Sequence, residues 1–254
     1  MKDDKGRDIS PVFPIVRDLV RFFYREPEIV GAEHLPDGAA VVVGNHAQMN
    51  GPIIAELYFP GDRWTWCAGE MLRLREVPAY AYADFWSRKP RSVRWFYRIL
   101  SYLIAPLSVA VLGGAHTIGV CRDSQVLTTY RETVRRLQEG AKIIIFPEKD
   151  EKRNAIVYAF QEGFVDVARL YHRRTGRALP FVPMYIAPRL GKVVIGEPMA
   201  FDPDAPIEAE RRRVCDAMAE AITRMAEALP PHVVVPYPNI PKKDYPMNRR
   251  EEVN

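Results

Sequence analysis

His46 closes the stretch VVVGNH, and a Gly-Pro pair follows at positions 51 and 52. An imidazole has an unperturbed pKa of about 6.5. At a strand end it is either a base able to take a proton near neutrality or a polar residue bonded into a turn, and its immediate neighbours do not choose between the two. Arg122, which ends GAHTIGVCR, and Glu148, inside FPEK, also stand just past apolar runs. In sheets of parallel strands the chemistry gathers at the carboxyl ends, where the connecting loops converge. An imidazole, a guanidinium and a carboxyl that each follow a strand are therefore expected to share one site.

The elements that must position them alternate. AAVVVGN, WTWCA, TIGVC, AKIIIFPE, ALPFVPMYI and KVVIGEP read as strands. PIIAELYF begins a helix, SQVLTTYRETVRRLQEG is a helix ended by Gly140, and QEGFVDVARLYHRR is another. IEAERRRVCDAMAEAITRMAEAL is a long amphipathic helix. This alternation predicts an α/β fold, a single domain with a mostly parallel central sheet flanked by helices. Its expected span is residues 28–229. Residues 1–27 are expected to hold an N-terminal amphipathic helix, carried by VFPIVRDLVRFFY. Residues 230–254 form a proline-rich arm, expected to be ordered as far as Pro238 and to continue as a loose tail.

The uncharged run from Ile99 to Gly114 is 16 residues long and contains Pro106. A membrane-spanning helix needs about 20 apolar residues, so a buried core helix is the first expectation. Contact with a bilayer surface is the alternative, because Arg91, Arg94 and Arg98 interleave with Trp95, Phe96 and Tyr97 just before it.

A hydrophobic content of 48% with 27% charged residues is that of a folded chain rather than a disordered one. The net charge of +4 suits a partner bearing phosphates or an anionic surface. The chain carries no basic block of the kind that tracks nucleic acid, so no nucleic-acid partner is expected. Cys67, Cys121 and Cys215 are far apart and show no metal-ligand spacing, which predicts reduced thiols in a cytoplasmic compartment and no metal. The first residues, MKDDKGRDIS, lack the apolar core of a secretory signal.

Four stretches, taken in order, carry a resemblance: NHAQMNG at 45–51, GAHTIGVCR ending at Arg122, FPEK at 146–149 and FVPMY at 181–185. Together they resemble the glycerolipid acyltransferase family, typified by the lysophosphatidate (1-acylglycerol-3-phosphate) acyltransferases. Its motifs are Asn-His followed by four residues and an aspartate, a glycine and apolar residues leading to an arginine, Phe-Pro-Glu-Gly, and an apolar-Val-Pro strand. The resemblance covers roughly residues 28–200. It implies a membrane-associated O-acyltransferase of phospholipid biosynthesis with a glycerol-phosphate-acyltransferase-like fold. Such an enzyme moves a fatty acyl group from a thioester, on coenzyme A or acyl carrier protein, to a hydroxyl of a glycerol phosphate or lysophospholipid. No bound cofactor is implied; the thioester is a co-substrate. The implied location is cytoplasmic, with peripheral contact to the membrane.

The resemblance also assigns roles. His46 is the general base, a part worth about 10²–10⁴-fold in rate. Arg122 holds the acceptor phosphate in a bidentate fork. Glu148 binds an acceptor hydroxyl or holds Arg122. Apart from the resemblance, Lys149, Lys152 and Arg153 add positive charge where an anionic acceptor would sit, or belong to a solvated charged loop. A backbone amide near Gly44 or in the FPEK loop would face the developing oxyanion.

Two positions depart. Gly51 stands where the family carries the aspartate that orients the histidine, and Lys149 stands where Phe-Pro-Glu-Gly has its glycine. Asn50 is the neighbouring candidate to orient His46 through its amide, with helix capping as its other reading. Glu70, Glu148 or Asp150 could supply a carboxylate instead. Otherwise the chain is a catalytically silent lipid-binding relative. A thioester hydrolase is a third reading.

Overall fold

The computed structural model describes residues 10–87, 89–121 and 126–249. In chain order the elements begin with α1 (Val12–Phe23), β1 (Glu28–Val30), β2 (Ala40–Gly44), α2 (Asn50–Leu57) and β3 (Arg63–Ala68). Next come α3 (Val77–Ala81), α4 (Arg94–Gly114), β4 (Thr117–Val120), α5 (Val126–Gln138) and β5 (Lys142–Ile145). They are followed by β6 (Glu148–Lys152), β7 (Tyr158–Phe160), α6 (Asp166–Thr175) and β8 (Pro180–Ala187). The last are β9 (Lys192–Ile195), β10 (Met199–Ala200) and α7 (Ile207–Ala228). The fold is the expected mixed α/β domain with a mostly parallel sheet. Its contacts gather into two compact units, Met1–Arg25 with Thr65–Thr129, and Glu26–Trp64 with Tyr130–Asn254.

The second unit carries the site. Its sheet is built on β2, which pairs in parallel with β5 on one side and β8 on the other. All five residues of β2 and all four of β5 are buried, as expected of strands covered on both faces. Beyond β8 lies β9, antiparallel, and then β1, parallel to β9. The short β10 pairs with the start of β8 in an antiparallel sense. Helix α7 packs on β8 along the apolar stripe Val214, Met218 and Ile222, and the Arg211 guanidinium forks onto Asp166 at the start of α6. Gly140 ends α5 with φ +88, a left-handed turn that glycine enters without steric cost.

In the first unit β3 and β4 pair in parallel, and α1 lies against the end of α4. The contact is close: a Cβ at Gly114 would fall 2.4 Å from Cβ of Phe13. Val77, Ala81 and Ala105 form a small buried cluster that joins α3 to α4.

Helix α4 corrects an expectation. The apolar run is not a buried core helix: it belongs to a helix of 21 residues, in which Ser101, Ala105 and Gly114 are the buried positions. Trp95, Ile99, Tyr102, Leu103 and Leu107 are exposed. With its preceding turn, the segment Arg91–Gly114 is long and apolar enough to cross a membrane by length and composition, a test that core helices of soluble proteins also pass.

The end of the chain differs too. The segment expected to be loose after Pro238 returns to the body of the second unit. Val233 bridges Met247, and the buried Asn248 side chain donates to the carbonyl of Ala226 and accepts the N–H of His232. Its order comes from these backbone hydrogen bonds, which composition does not reveal.

Candidate active site

Strand β2 ends at Gly44, and the next side chain fixes where the loop begins. The buried Asn45 amide accepts the Ile186 N–H at 2.7 Å and donates to the Ile186 carbonyl at 3.1 Å. This pairing with β8 extends the ladder by one residue through a side chain, so His46 leaves the sheet at a fixed point.

The turn after His46 is tight. Ala47 and Gln48 have φ of 46° and 55°, two consecutive left-handed residues that are not glycine. Each costs about 1–3 kcal/mol and persists only where its surroundings over-determine it. Here the Ala47 carbonyl accepts both the backbone N–H and the side-chain amide of Asn50, at 3.1 and 2.8 Å. The Gly51 N–H donates to the His46 carbonyl at 3.1 Å. The left-handed pair turns the Gln48 carbonyl back onto the imidazole, and His46 Nδ1 lies 2.5 Å from that oxygen. A carbonyl can only accept, so Nδ1 carries the hydrogen. In the neutral ring Nε2 then bears the lone pair.

Gly51 is explained by the same turn. A Cβ there would sit 2.5 Å from the His46 carbonyl oxygen and 2.9 Å from Cε1 of Phe146. The position that carries an aspartate in the family motif has no room for a side chain. The hydrogen-bond acceptor at Nδ1 is the main chain of Gln48, while the Asn50 amide nitrogen serves the turn.

Glu148 stands 3% exposed at the start of β6. Its carboxylate accepts the His46 N–H at 2.6 Å and the Tyr158 N–H at 2.9 Å. Of the carboxylates considered from the sequence, this one meets His46 at its main chain. Glu148 thereby ties the histidine loop to the hairpin of β6 and β7. Burial pushes the Glu148 carboxyl up to about 7, while the two amides that donate to it favour the charged form.

This shift has a sign. The folded pKa of about 7 exceeds the ordinary 4.5, so between those values the folded state holds the proton more tightly than the unfolded one. Stability therefore falls as pH rises through this window, by on the order of 3 kcal/mol at 1.36 kcal/mol per unit. Glu148→Gln is expected to flatten that slope. It also carries a constant loss of about 1–3 kcal/mol, because its NH₂ must face an N–H. Urea melts of both proteins at pH 5 and pH 8 measure this; an unchanged slope in the variant would show that Glu148 does not titrate there.

Two of the cations named from the sequence, Lys149 and Arg153, lie on and beyond the hairpin. Lys149 pairs with Glu151 at 2.6 Å, and Arg153 pairs with Asp216 of α7 at 2.6 Å. Arg122 lies outside the described residues. His46 and Glu148 are thus brought into contact, while Lys149 and Arg153 each hold an ion pair.

Four residues around His46 and its turn are absent from the sequence-derived site. The Phe146 ring lies 5.4 Å from the imidazole and the Tyr237 ring 5.6 Å, the latter edge-on. Gln48 contributes its carbonyl, and Tyr245 reaches the Gln48 side chain. A readable signal existed for Phe146, which sits inside FPEK. No residue pattern announces a left-handed Gln48 or a tail that returns.

A family model described as Acyltransferase matches residues 26–187. A search of curated proteins finds no match. Among solved structures, the crystal structure of the 1-acyl-sn-glycerophosphate (LPA) acyltransferase PlsC from Thermotoga maritima is similar, at 18% identity with a TM-score of 0.48. The match covers 86% of this chain and 80% of that one.

Proposed function

The chain belongs to the Acyltransferase family, and from that premise we propose that it transfers a fatty acyl group from an acyl thioester to a hydroxyl of a glycerol phosphate or lysophospholipid, with His46 as general base. The observation that carries this reading is the Nδ1 hydrogen bond from His46 to the Gln48 carbonyl, which puts the ring hydrogen on Nδ1 and makes Nε2 the basic nitrogen of the neutral ring. As the acceptor oxygen attacks the thioester carbonyl, its proton passes to Nε2. Collapse of the tetrahedral intermediate breaks the C–S bond. The thiolate leaves and takes that proton, so the products are an ester and a free thiol.

A carbonyl in place of a carboxylate is consistent with turnover. In serine-protease triads, replacing the aspartate by asparagine lowers the rate about 10⁴-fold because the histidine is held in the wrong tautomer. A backbone carbonyl has no hydrogen to offer and so enforces the productive tautomer. What it lacks is full negative charge opposite the imidazolium. Arg122 is assigned to the acceptor phosphate by its motif alone, with Lys149 as an additional cation. Coenzyme A and acyl carrier protein are both donors to be tried.

The test is transfer of a labelled acyl group from each thioester to lysophosphatidate and to glycerol 3-phosphate. Ester formation that depends on His46 supports the proposal. Tight lipid binding without transfer would identify a silent relative, and free fatty acid as the sole product would identify a hydrolase.

We assign membrane contact to the first unit. Ile15, Leu19, Phe22 and Phe23 form one exposed stripe on α1, at helical spacing, and Phe22 is 81% exposed. Arg17 and Arg21 lie between them, as suits a helix resting among lipid headgroups. Burying a Leu or Phe side chain is worth about 1.5–3 kcal/mol. The double substitution Leu19→Asp with Phe22→Asp is therefore expected to weaken sedimentation with phosphatidylglycerol vesicles by at least about tenfold. Unchanged partitioning would remove α1 from the membrane surface.

A further inference from the structure

The C-terminal arm leaves α7 at Leu229, runs outward from His232 and comes back to Asn248. Its two ends are clamped together. The Val234 N–H donates to the Pro246 carbonyl at 2.8 Å, and the Asn248 N–H to the His232 carbonyl at 3.0 Å. The clamp is fixed to the sheet by a buried side-chain pair. The Tyr185 hydroxyl of β8 lies 2.8 Å from His232 Nε2, and His232 Nδ1 lies 2.8 Å from the Pro230 carbonyl. Since that carbonyl accepts from Nδ1, Nε2 accepts from the tyrosine.

Between the clamped ends, the arm folds over the histidine turn and touches it at three points. The Gln48 side-chain amide donates to the Tyr245 hydroxyl at 2.8 Å and to the Pro238 carbonyl at 3.3 Å. The Tyr237 ring stands edge-on to the imidazole and against the ring of Tyr158. Gln48 is thus held at both ends. Its main chain is in the left-handed region with its carbonyl on His46 Nδ1, and its side chain is pinned by the arm.

We propose that Tyr245 is a positioning residue for acyl transfer: through the Gln48 side chain, the C-terminal arm keeps a strained turn closed so that the Gln48 carbonyl takes the orienting place for which position 51 has no room. This rests on the reading of His46 as the base. The strain makes the role physical. Two consecutive left-handed non-glycine residues tend to relax, and relaxation would carry the carbonyl away from Nδ1. A hydrogen bond that anchors Gln48 from a separately clamped segment opposes that motion. Misplacing a catalytic group by about 1 Å can cost on the order of 100-fold in rate, so loss of one of several restraints should cost a smaller part of that.

The test uses the full chain in lipid micelles, with Tyr245→Phe, which removes only the hydroxyl, and Gln48→Met, which keeps length but cannot donate. The first readout is kcat and KM for transfer from an acyl-coenzyme A to lysophosphatidate. The second is the ¹⁵N spectrum of the His46 ring, which reports which nitrogen carries the hydrogen and needs no turnover. Both variants are expected to lower kcat about tenfold with KM within about twofold, and to shift the ring from the Nδ1–H form towards a mixture. A fall in the melting temperature with an unchanged ring spectrum and unchanged kcat would mean that the arm is only structural, and would overturn the proposal. A lowered kcat with an unchanged ring spectrum would overturn it equally. Should wild type and His46→Ala transfer alike, the base reading fails, and the ring spectrum still decides whether Tyr245 sets the tautomer.

Discussion

His46→Ala is expected to lower acyl transfer by about 10²–10⁴-fold while leaving the fold intact. The rate effect follows from removing the proton acceptor: an alcohol is far too weak an acid to lose its proton to water as it attacks a thioester. The fold should survive because the sheet end is held by other groups. Asn45 pairs with Ile186, and Glu148 accepts the backbone N–H of residue 46, which alanine retains. The losses include the ring contacts with Phe146 and Tyr237 and the Nδ1 bond that closes the turn. Initial rates at saturating thioester, together with a thermal melt, separate the two effects. A variant that transfers as fast as wild type would remove His46 from the chemistry.

Gly51→Asp is the second large effect, and the structure reverses the expectation drawn from the motif. Compared with the family pattern, aspartate at this position looks like a repair. In the folded protein it is an intrusion: any Cβ meets the His46 carbonyl at 2.5 Å and the Phe146 ring at 2.9 Å. The carbonyl belongs to the backbone and cannot swing aside as the end of a flexible side chain can. Overpacking of this kind costs about 1–3 kcal/mol, and relief by opening the turn would also release the Gln48 carbonyl from Nδ1. The variant is expected to be less stable than wild type and less active. Gly51→Ala sharpens the test. Position 51 lies in the first turn of α2, where alanine would ordinarily be favoured over glycine by up to about 1 kcal/mol. A lower melting temperature for Gly51→Ala is therefore a sign that propensity cannot produce. If Gly51→Asp melts at the wild-type temperature and transfers faster, the compensating role given to Gln48 is wrong. If transfer appears only in that variant, the natural chain is a silent relative.

Much of the architecture was legible because its causes are local. The β-branched runs at 40–44 and 142–145 are strands, and the 3.6-residue spacing of Val214, Met218 and Ile222 marks a helix. The stop at Gly140 also follows from residue type, since glycine readily takes the φ of +88 found there. Helix α4 differs from the expected core helix because an apolar run has the same composition whether it faces a core or an exterior. Only the neighbours decide, and at Trp95, Ile99, Tyr102, Leu103 and Leu107 the side chains of α4 are exposed. The charged stretch after FPE was expected as a loop. It forms β6, whose partner β7 lies beyond the turn, so its strand character comes from pairing rather than from its own side chains.

The site divides in the same way. By itself the sequence determined the chemical types and their order: an imidazole after a buried strand, an arginine closing a second motif, a carboxyl inside a third, and a glycine where an aspartate was due. Tertiary structure alone decided what those groups do to one another. It set the Glu148 carboxylate on the His46 amide, left no volume at position 51, and brought Pro238 and Tyr245 of the C-terminal arm back against Gln48. Side-chain chemistry is written residue by residue and can be read that way. A backbone carbonyl aimed by two left-handed dihedrals, and steadied from about 200 residues away, is a property of the closed chain, because the energy that holds those dihedrals comes from contacts that exist only after folding.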